Sequence, residues 1–267
     1  MSAEYEYRGL MAEAWDLLRG DTSGWEDRDW FRTLIERDGG CPALDVGCGT
    51  GRLLLDYLAA GLDVDGVDNS PEMLALCRAK AKAAGLDVTA RLHRAQMQAL
   101  ALPRRYATIF VPSLAILLLP APGEVERTLH AFRAHLLEGG RLALSFRALR
   151  TWDGPGPAPA DGEWSDWWVD AEAARPDGEV VRRWTRFRSH DAQQLVDEVF
   201  RYEVIRDGVV VRSELQGHTP TLRWYSLEQA MSLVEAAGFT DLSATWKDTF
   251  EPARPGARTF KIVAVRS

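Results

Sequence analysis

The stretch Pro42–Leu55, PALDVGCGTGRLLL, places Gly47, Gly49 and Gly51 within five positions, directly behind a short apolar run. Glycine costs backbone entropy and gives a core no side chain. A cluster of three therefore marks a corner that needs positive φ, or a ligand nearer than a Cβ would permit. Ala43–Val46 reads as a strand and Arg52–Ala60 as a helix, so the glycines stand where a strand hands over to a helix. A dinucleotide fingerprint would need G-x-G-x-x-G, but the residue five after Gly47 is Arg52, and the spacing here is G-x-G-x-G. A P-loop fails as well, since no G-K-[ST] follows. A purely structural glycine turn stays open.

Outward from this corner, strands and helices alternate. Asp63–Val67 reads as the next strand. Ser70 then reads as an N-cap with Pro71 at the first helical position, and Met73, Leu74 and Cys77 share one face of a helix to Ala84. Val88–His93 and Thr108–Val111 are predicted strands, Glu124–Leu137 a helix, and Arg141–Phe146 a strand after the turn Gly139-Gly140. Upstream, Leu10, Met11, Ala14, Trp15, Leu17 and Leu18 recur at helical spacing. They predict one amphipathic helix ended by Gly20, and a further helix is predicted over Arg28–Arg37. Strands interleaved with helices predict an α/β fold, a parallel sheet with helices on both faces.

The pattern breaks after Arg150. The loop DGPGPAPADG holds neither helix nor central strand. Beyond it come strand-like runs over Trp164–Val169, Glu179–Ser189, Leu195–Arg206 and Val209–Leu215, the last two joined by the hairpin signal Asp207-Gly208. Helix returns behind Ser226 and ends at Gly238, and Leu242–Lys247 and Thr259–Val265 close the chain as strands. The organisation expected is a core over residues 1–149 and 225–267, with its amino-terminal helices as a cover, and an antiparallel β insert over residues 150–224.

With 46% hydrophobic and 27% charged residues over 267 positions, the chain has the balance of a soluble globule. A net charge of −7 speaks against broad binding to nucleic acid or to an anionic membrane. The opening MSAEYEYRGL carries acids where a secretory signal needs an apolar core. The longest apolar run, Ile109–Leu119, is interrupted by Pro112 and Ser113 and is too short to span a bilayer. Cys41, Cys48 and Cys77 are odd in number and lack metal-ligand spacing, which fits reduced thiols in the cytoplasm. The expectation is a cytoplasmic protein, monomer or homodimer, with no nucleic-acid partner, no membrane partner and no metal.

The acid matched to the glycines is Asp68, in DVDGVDNSPEML, at the end of the second predicted strand and so at the sheet edge where open α/β folds bind ligands. A carboxylate there can take both hydroxyls of a ribose. An Asp before Ser-Pro also caps helices, and the two roles are compatible. At this point LDVGCGTGRLLL, VDGVDNSPEML, YATIFVPS and HLLEGGRLALSF together resemble the successive motifs of the class I S-adenosylmethionine-dependent methyltransferases, in order and in spacing. AMSLVEAAGFTDL and TFKIVAV are similar to that superfamily's closing elements. The amino-terminal helix and the insert look more like small-molecule members, such as glycine N-methyltransferase and the amino-sugar N,N-dimethyltransferases.

That resemblance implies a Rossmann-like, doubly wound, mostly parallel seven-stranded sheet and S-adenosyl-L-methionine as cofactor. By position, it implies that Gly47, Cys48, Gly49 and Gly51 bring bare backbone to the methionine part, near a helix N-terminus that favours its carboxylate. Asp45 would orient backbone or counter the ammonium, and Asp68 would hold the ribose. Asn69 and Met73 would lie near the adenosine, Gln96 would accept from the adenine amino group, and Met97 would offer its amide and a polarizable face to the purine. Ordinary core packing is an equal reading for Met97. Val111 to Ser113 would line the passage to a small-molecule acceptor.

The resemblance implies methyl transfer to a small molecule. A hydroxyl acceptor usually needs a base or a metal, whereas an amine arriving neutral needs neither. With no metal-ligand cluster in view, nitrogen is favoured. Oxygen methylation and cofactor binding without catalysis stand as the rival readings. Catalytic candidates are Tyr7 and Trp15 in the expected cover (with Tyr5 beside them), His190 and His218 in the insert, and Arg223 with Tyr225 before the late helix. Trp167 and Trp168 alternate to opposite faces, so one is expected to pack and the other to form an aromatic wall. Arg182, Trp184, Arg186 and Arg188 share a strand face. A solvated edge is one reading of that face, and a subsite for an anionic acceptor such as a nucleotide-sugar is the other.

Overall fold

The computed structural model describes residues 6–39, 41–148, 154–254 and 256–267; Tyr5 and Arg150–Asp153 lie outside these. From the amino end come α1 (Leu10–Glu13), α2 (Trp15–Arg19), α3 (Asp27–Glu36), β1 (Ala43–Val46), α4 (Leu54–Ala59), β2 (Val64–Asp68), α5 (Pro71–Ala83), β3 (Leu92–Arg94) and β4 (Tyr106–Val111). Next are α6 (Glu124–His135), β5 (Leu136–Arg147), β6 (Trp168–Ala174), β7 (Val180–His190), β8 (Leu195–Arg206) and β9 (Val209–Arg223). The chain ends with α7 (Leu227–Ala236), β10 (Phe239–Trp246) and β11 (Thr259–Arg266). Two compact units form. One starts at Gly24, runs through β5, and resumes over Tyr225–Ser267; the other joins the chain up to Ser23 with the insert up to Trp224.

The larger unit is a seven-stranded sheet in the order β10-β11-β5-β4-β1-β2-β3. β1, β2, β3, β4 and β5 run parallel, and β11 is antiparallel to both β5 and β10. All four residues of β1 are buried, as a central strand covered on both faces requires. Trp30, Phe31, Leu54, Tyr57, Leu74 and Cys77 from α3, α4 and α5 pack in one core with Phe110 and Ala143 of the sheet. α5 starts as its residues dictate: Ser70 Oγ accepts from the Met73 amide (3.1 Å), and Pro71 stands in the first turn. α7 opens on a full capping box between Ser226 and Gln229. The predicted strand Val88–His93 shrinks to Leu92–Arg94 because the amides of Arg91 and Leu92 turn back onto the Val88 carbonyl (3.0 and 3.3 Å).

The smaller unit is a four-stranded antiparallel sheet in the order β6-β7-β8-β9, with the amino-terminal helices packed on it. The single helix expected over Leu10–Leu18 is broken at Ala14. Leu10, Met11 and Ala14 are all buried against Val181, Tyr202 and Val204. The Leu10 amide donates to Glu214 Oε2 (2.8 Å), which fixes α1 to β9. β9 runs eight residues past the expected Leu215, through Pro220 to Arg223; an edge strand tolerates that proline.

Candidate functional site

Strand order reverses between β1 and β4, so the carboxyl ends at Val46 and Val111 flank the crevice where open α/β sheets take ligands. Gly47, Gly49 and Gly51 leave β1 there with φ of +73°, +54° and +86°. The amides of Gly47 and Cys48 donate to the Val67 carbonyl (2.8 and 3.1 Å), strapping the turn to the end of β2. The three glycines are needed for different reasons. A Cβ on Gly51 would stand 2.6 Å from Cys77 Sγ and 2.8 Å from Leu55 Cγ, so packing closes that position. At Gly47 and Gly49 a Cβ would meet only Ala115 Cβ at 3.3 Å and Met73 Cε at 3.4 Å, and the left-handed backbone is the stricter requirement. Gly66 of β2, which the sequence reading passed over, lies beneath the turn: a Cβ there would reach Cys48 Sγ at 2.9 Å. Cys48 therefore turns its thiol into the core, where burial pushes its pKa up, and leaves only backbone for the crevice.

Asp68 ends β2 half-buried. Its Oδ2 accepts from the Gly49 amide and its Oδ1 from the Ser70 amide, both at 2.9 Å. One carboxylate thus orders the glycine turn and the entry to α5. The Ala95 amide donates to the Asp68 carbonyl (3.2 Å), tying the segment with Gln96 and Met97 to the same edge. Met97 and Gln96 are half-exposed, so Met97 is not core, whereas Met73 is fully buried under Gly49. Asn69 is half-exposed, with its carbonyl accepting from Arg94 Nε (3.2 Å). Val111 is fully buried, and only its place at the end of β4 relates it to the crevice.

Asp45 is 1% exposed. It accepts from the Leu54 amide, and its Oδ1 has no hydrogen-bond partner among the described residues. Burial pushes its carboxyl up to about 7; Arg52 opposes that rise, and the carboxylate of Asp68 adds to it. Arg52 itself is a hub that sequence reasoning missed. Its Nη1 donates to Asp27 Oδ1 at 2.8 Å, its Nη2 donates to Asp27 Oδ2 and to Ser113 Oγ (3.4 Å), and its guanidinium lies over the Trp25 ring at 5.0 Å. Ser113 and Leu114, just beyond β4, both hold positive φ (53° and 63°), a strained turn beside the crevice. Asp27 and Arg52 are 25 residues apart, and no local pattern links them.

In the smaller unit, Tyr7 packs edge-on against Trp15 (4.8 Å) and Arg19 caps the Trp15 ring (4.5 Å). His190 and Arg223 stand in one row of the sheet, each paired in register with Leu195. His190 Nε2 lies 3.0 Å from Oδ2 of the buried Asp197, which also accepts from Arg188 Nη2 (2.6 Å). Arg223 Nη1 donates to the Gln193 carbonyl (2.7 Å). His218 is half-buried, and burial together with Arg8 holds its imidazole below the usual value. Trp168 packs on Phe187 (6.1 Å). The basic face is a ladder rather than an open cluster. Arg188 and Arg186 lie over Trp164 (4.7 and 4.6 Å), Arg186 and Arg201 over Trp167 (4.8 and 5.3 Å), and Arg201 over Trp184 (4.9 Å). Arg186 is thus engaged by two rings, which weakens its case as an anion subsite. In the larger unit, Tyr225 packs on Phe146 (5.9 Å) and donates its amide to the Arg147 carbonyl (3.1 Å).

Among the described residues no cluster of three or more His, Cys, Asp or Glu has the placement to hold a metal, and no helix is long and apolar enough to cross a membrane. Residues 43–140, which carry β1 to the start of β5 and the whole glycine corner, match the methyltransferase-domain family. The chain is 31% identical over 140 residues to the dTDP-3-amino-3,6-dideoxy-α-D-glucopyranose N,N-dimethyltransferase of Streptomyces fradiae, a match covering 51% of this chain and 52%, about half, of that relative. Among solved structures, an S-adenosylmethionine-dependent methyltransferase from Clostridium acetobutylicum superposes with a TM-score of 0.74 at 18% identity, over 95% of this chain and 96% of its own. CalS10, an amino pentose methyltransferase from Micromonospora echinaspora, superposes with a TM-score of 0.64 at 25% identity, over 99% of this chain and 100% of its own. Residues 43–140 thus carry a methyltransferase domain, and the chain as a whole has the fold of S-adenosylmethionine-dependent methyltransferases.

Proposed function

We propose that this chain methylates nitrogen on a small molecule, and that a nucleotide-linked amino sugar is the acceptor class. The observation that carries the cofactor half is the joint use of Asp68 by the Gly49 and Ser70 amides, which presents a half-exposed carboxylate beside bare backbone at the switch point. The residues fit the cofactor. Asp68 offers S-adenosyl-L-methionine a half-exposed carboxylate for its ribose hydroxyls, and Gly47, Cys48 and Gly49 offer backbone to the methionine part. Asp45 has an unpartnered oxygen suited to the electrostatics of an ammonium. Gly51 serves through packing, Asn69 and Met73 shape the adenosine side, and Gln96 and Met97 serve the adenine. Val111 sets the end of β4. The bound cofactor supplies an activated methyl on a sulfonium, ready for in-line displacement.

The protein then has to align the acceptor lone pair and keep water out, so orientation carries much of the acceleration. The Streptomyces relative is an N,N-dimethyltransferase, which supports nitrogen as the target, and the Micromonospora protein acts on an amino pentose, which supports an amino sugar as the acceptor. An amine needs no dedicated base. His190 paired with Asp197 is the arrangement a hydroxyl acceptor would use instead. We assign acceptor selection to the smaller unit, through Tyr7, Trp15, Trp168, His218 and Arg223.

Mass spectrometry of the chain with S-adenosylmethionine and a dTDP-linked 3-amino-3,6-dideoxy sugar tests this, with calorimetry of the demethylated cofactor alongside. Gain of one or two methyl masses on the sugar nitrogen is expected. Methylation of hydroxyl acceptors alone would replace nitrogen by oxygen. Cofactor binding with no product from any amine or hydroxyl would leave a binding protein without catalysis.

A further inference from the structure

Asp45, Arg52 and Asp27 place two carboxyls and one guanidinium beside the glycine turn, and the guanidinium is shared unequally. Arg52 gives both ends of its fork to Asp27: Nη1 donates to Oδ1 (2.8 Å) and Nη2 to Oδ2, with a further bond from Nη2 to Ser113 Oγ (3.4 Å). The Trp25 ring covers the guanidinium at 5.0 Å. Asp27 is well placed to hold this partner, because it stands in the first turn of α3, where the helix dipole favours an anion. Asp45 is left with the Leu54 amide, and its Oδ1 has no partner among the described residues although Asp45 is 1% exposed. Buried carboxyls ordinarily have a donor or a counter-charge at each oxygen. Burial pushes the Asp45 pKa up to about 7, Arg52 opposes the rise, and Asp68 of β2 and Asp27 of α3 add to it. Tyr57 of α4 and Cys48 of the turn also feel Asp45, and burial holds both un-ionised.

We propose that Asp27 is a positioning residue: by holding Arg52 it keeps the guanidinium off Asp45, and the corner takes up the cofactor's ammonium as Asp45 gives up a proton. The exchange rests on the cofactor reading proposed for this corner. A cation arriving beside a protonated carboxyl favours its ionised form. The O–H bond of Asp45 then breaks, the proton passes to the buffer, and the carboxylate stays with the ammonium. Had Arg52 paired with Asp45 instead, the carboxylate would be ionised and neutralised before any cofactor arrived, and the exchange would be lost. Asp27 therefore acts on the cofactor only through the partner it occupies. The sign of the linkage follows. The free protein holds a proton that the complex has lost, so cofactor affinity rises with pH up to about 7 and levels above it.

Calorimetry with S-adenosyl-L-homocysteine, which keeps the ammonium, in buffers of different ionisation enthalpy counts the protons released on binding. The wild type is expected to release close to one proton at pH ~6 and almost none at pH ~8, with affinity rising about five- to tenfold between pH ~6 and ~7.5. Asp45→Asn is expected to bind with no release and a flat pH profile. Asp27→Asn sets Arg52 free and is expected to bind about three- to tenfold more weakly, with most of the release gone. Asp27→Glu keeps a carboxylate for the fork and is expected to restore the release. A merely structural role for Asp27 would lower stability and leave the proton count of the bound protein unchanged, which would overturn the proposal. So would wild-type binding without proton release, or release that persists in Asp45→Asn, and both of these would leave the cofactor reading intact. Absence of binding at every pH would strike the cofactor reading itself, and the exchange with it.

Discussion

Asp68 spends one carboxylate oxygen on the Gly49 amide and the other on the Ser70 amide, so its removal has two separable effects. Asp68→Ala should weaken binding of the demethylated cofactor by ~1.5–3 kcal/mol, the scale of a lost charge-assisted hydrogen bond. Calorimetry on the folded variant measures it, and unchanged affinity would remove the ribose role. The glycines separate in the same way. Gly49→Val is expected to abolish cofactor binding while sparing most of the fold, since a β-branched residue resists positive φ. Gly51→Ala, whose Cβ would stand 2.6 Å from Cys77 Sγ, should instead lower stability by about 1–3 kcal/mol, read in denaturant. Asp45 brings a pH dependence. Its folded pKa of about 7 lies above the ordinary 3.8, so the folded state holds the proton longer than the unfolded chain. The contribution to stability is therefore greatest below pH ~4 and falls as pH rises through ~7. Asp45→Asn should flatten the melting temperature across that window; a slope equal to the wild type's would place the titration elsewhere.

At the scale of elements, what the sequence made legible was what local chemistry decides. Ser70-Pro71 began α5, Ser226 began α7, and Asp207-Gly208 turned β8 into β9. The strand, the glycine turn and the acid at the end of β2 were readable for the same reason. What the sequence hid was long-range. Nothing near Arg52 announces Asp27 or Trp25, and nothing in EWSDWWVD announces that Trp164 and Trp167 interleave with arginines of β7 and β8. Arg52 and Asp27 are each 13% exposed, so Arg52→Ala would leave a largely buried carboxylate unpaired. A loss of about 2–4 kcal/mol in denaturant unfolding is expected, and Arg52→Lys should restore only part of it because the forked contact is lost. His190→Asn tests the acceptor atom from the same scale. Amine turnover should stay within about threefold, whereas a fall of ~10²-fold or more would make His190 a base and favour a hydroxyl.

At the scale of the whole molecule, the larger unit carries the glycine turn and Asp68, and the smaller unit brings an added sheet with its own core. Trp168→Ala or Arg223→Ala should, for at least one of the two, reduce acceptor turnover while leaving cofactor affinity intact. Normal kinetics in both would free the insert of an acceptor role. The most direct measurement is transfer of an isotopically labelled methyl group from S-adenosylmethionine, followed by mass spectrometry on a dTDP-linked 3-amino sugar. The label should appear on the sugar nitrogen, and should disappear with Asp68→Ala at limiting cofactor. A chain that binds the cofactor but leaves every amine unlabelled would contradict the assignment of nitrogen methylation.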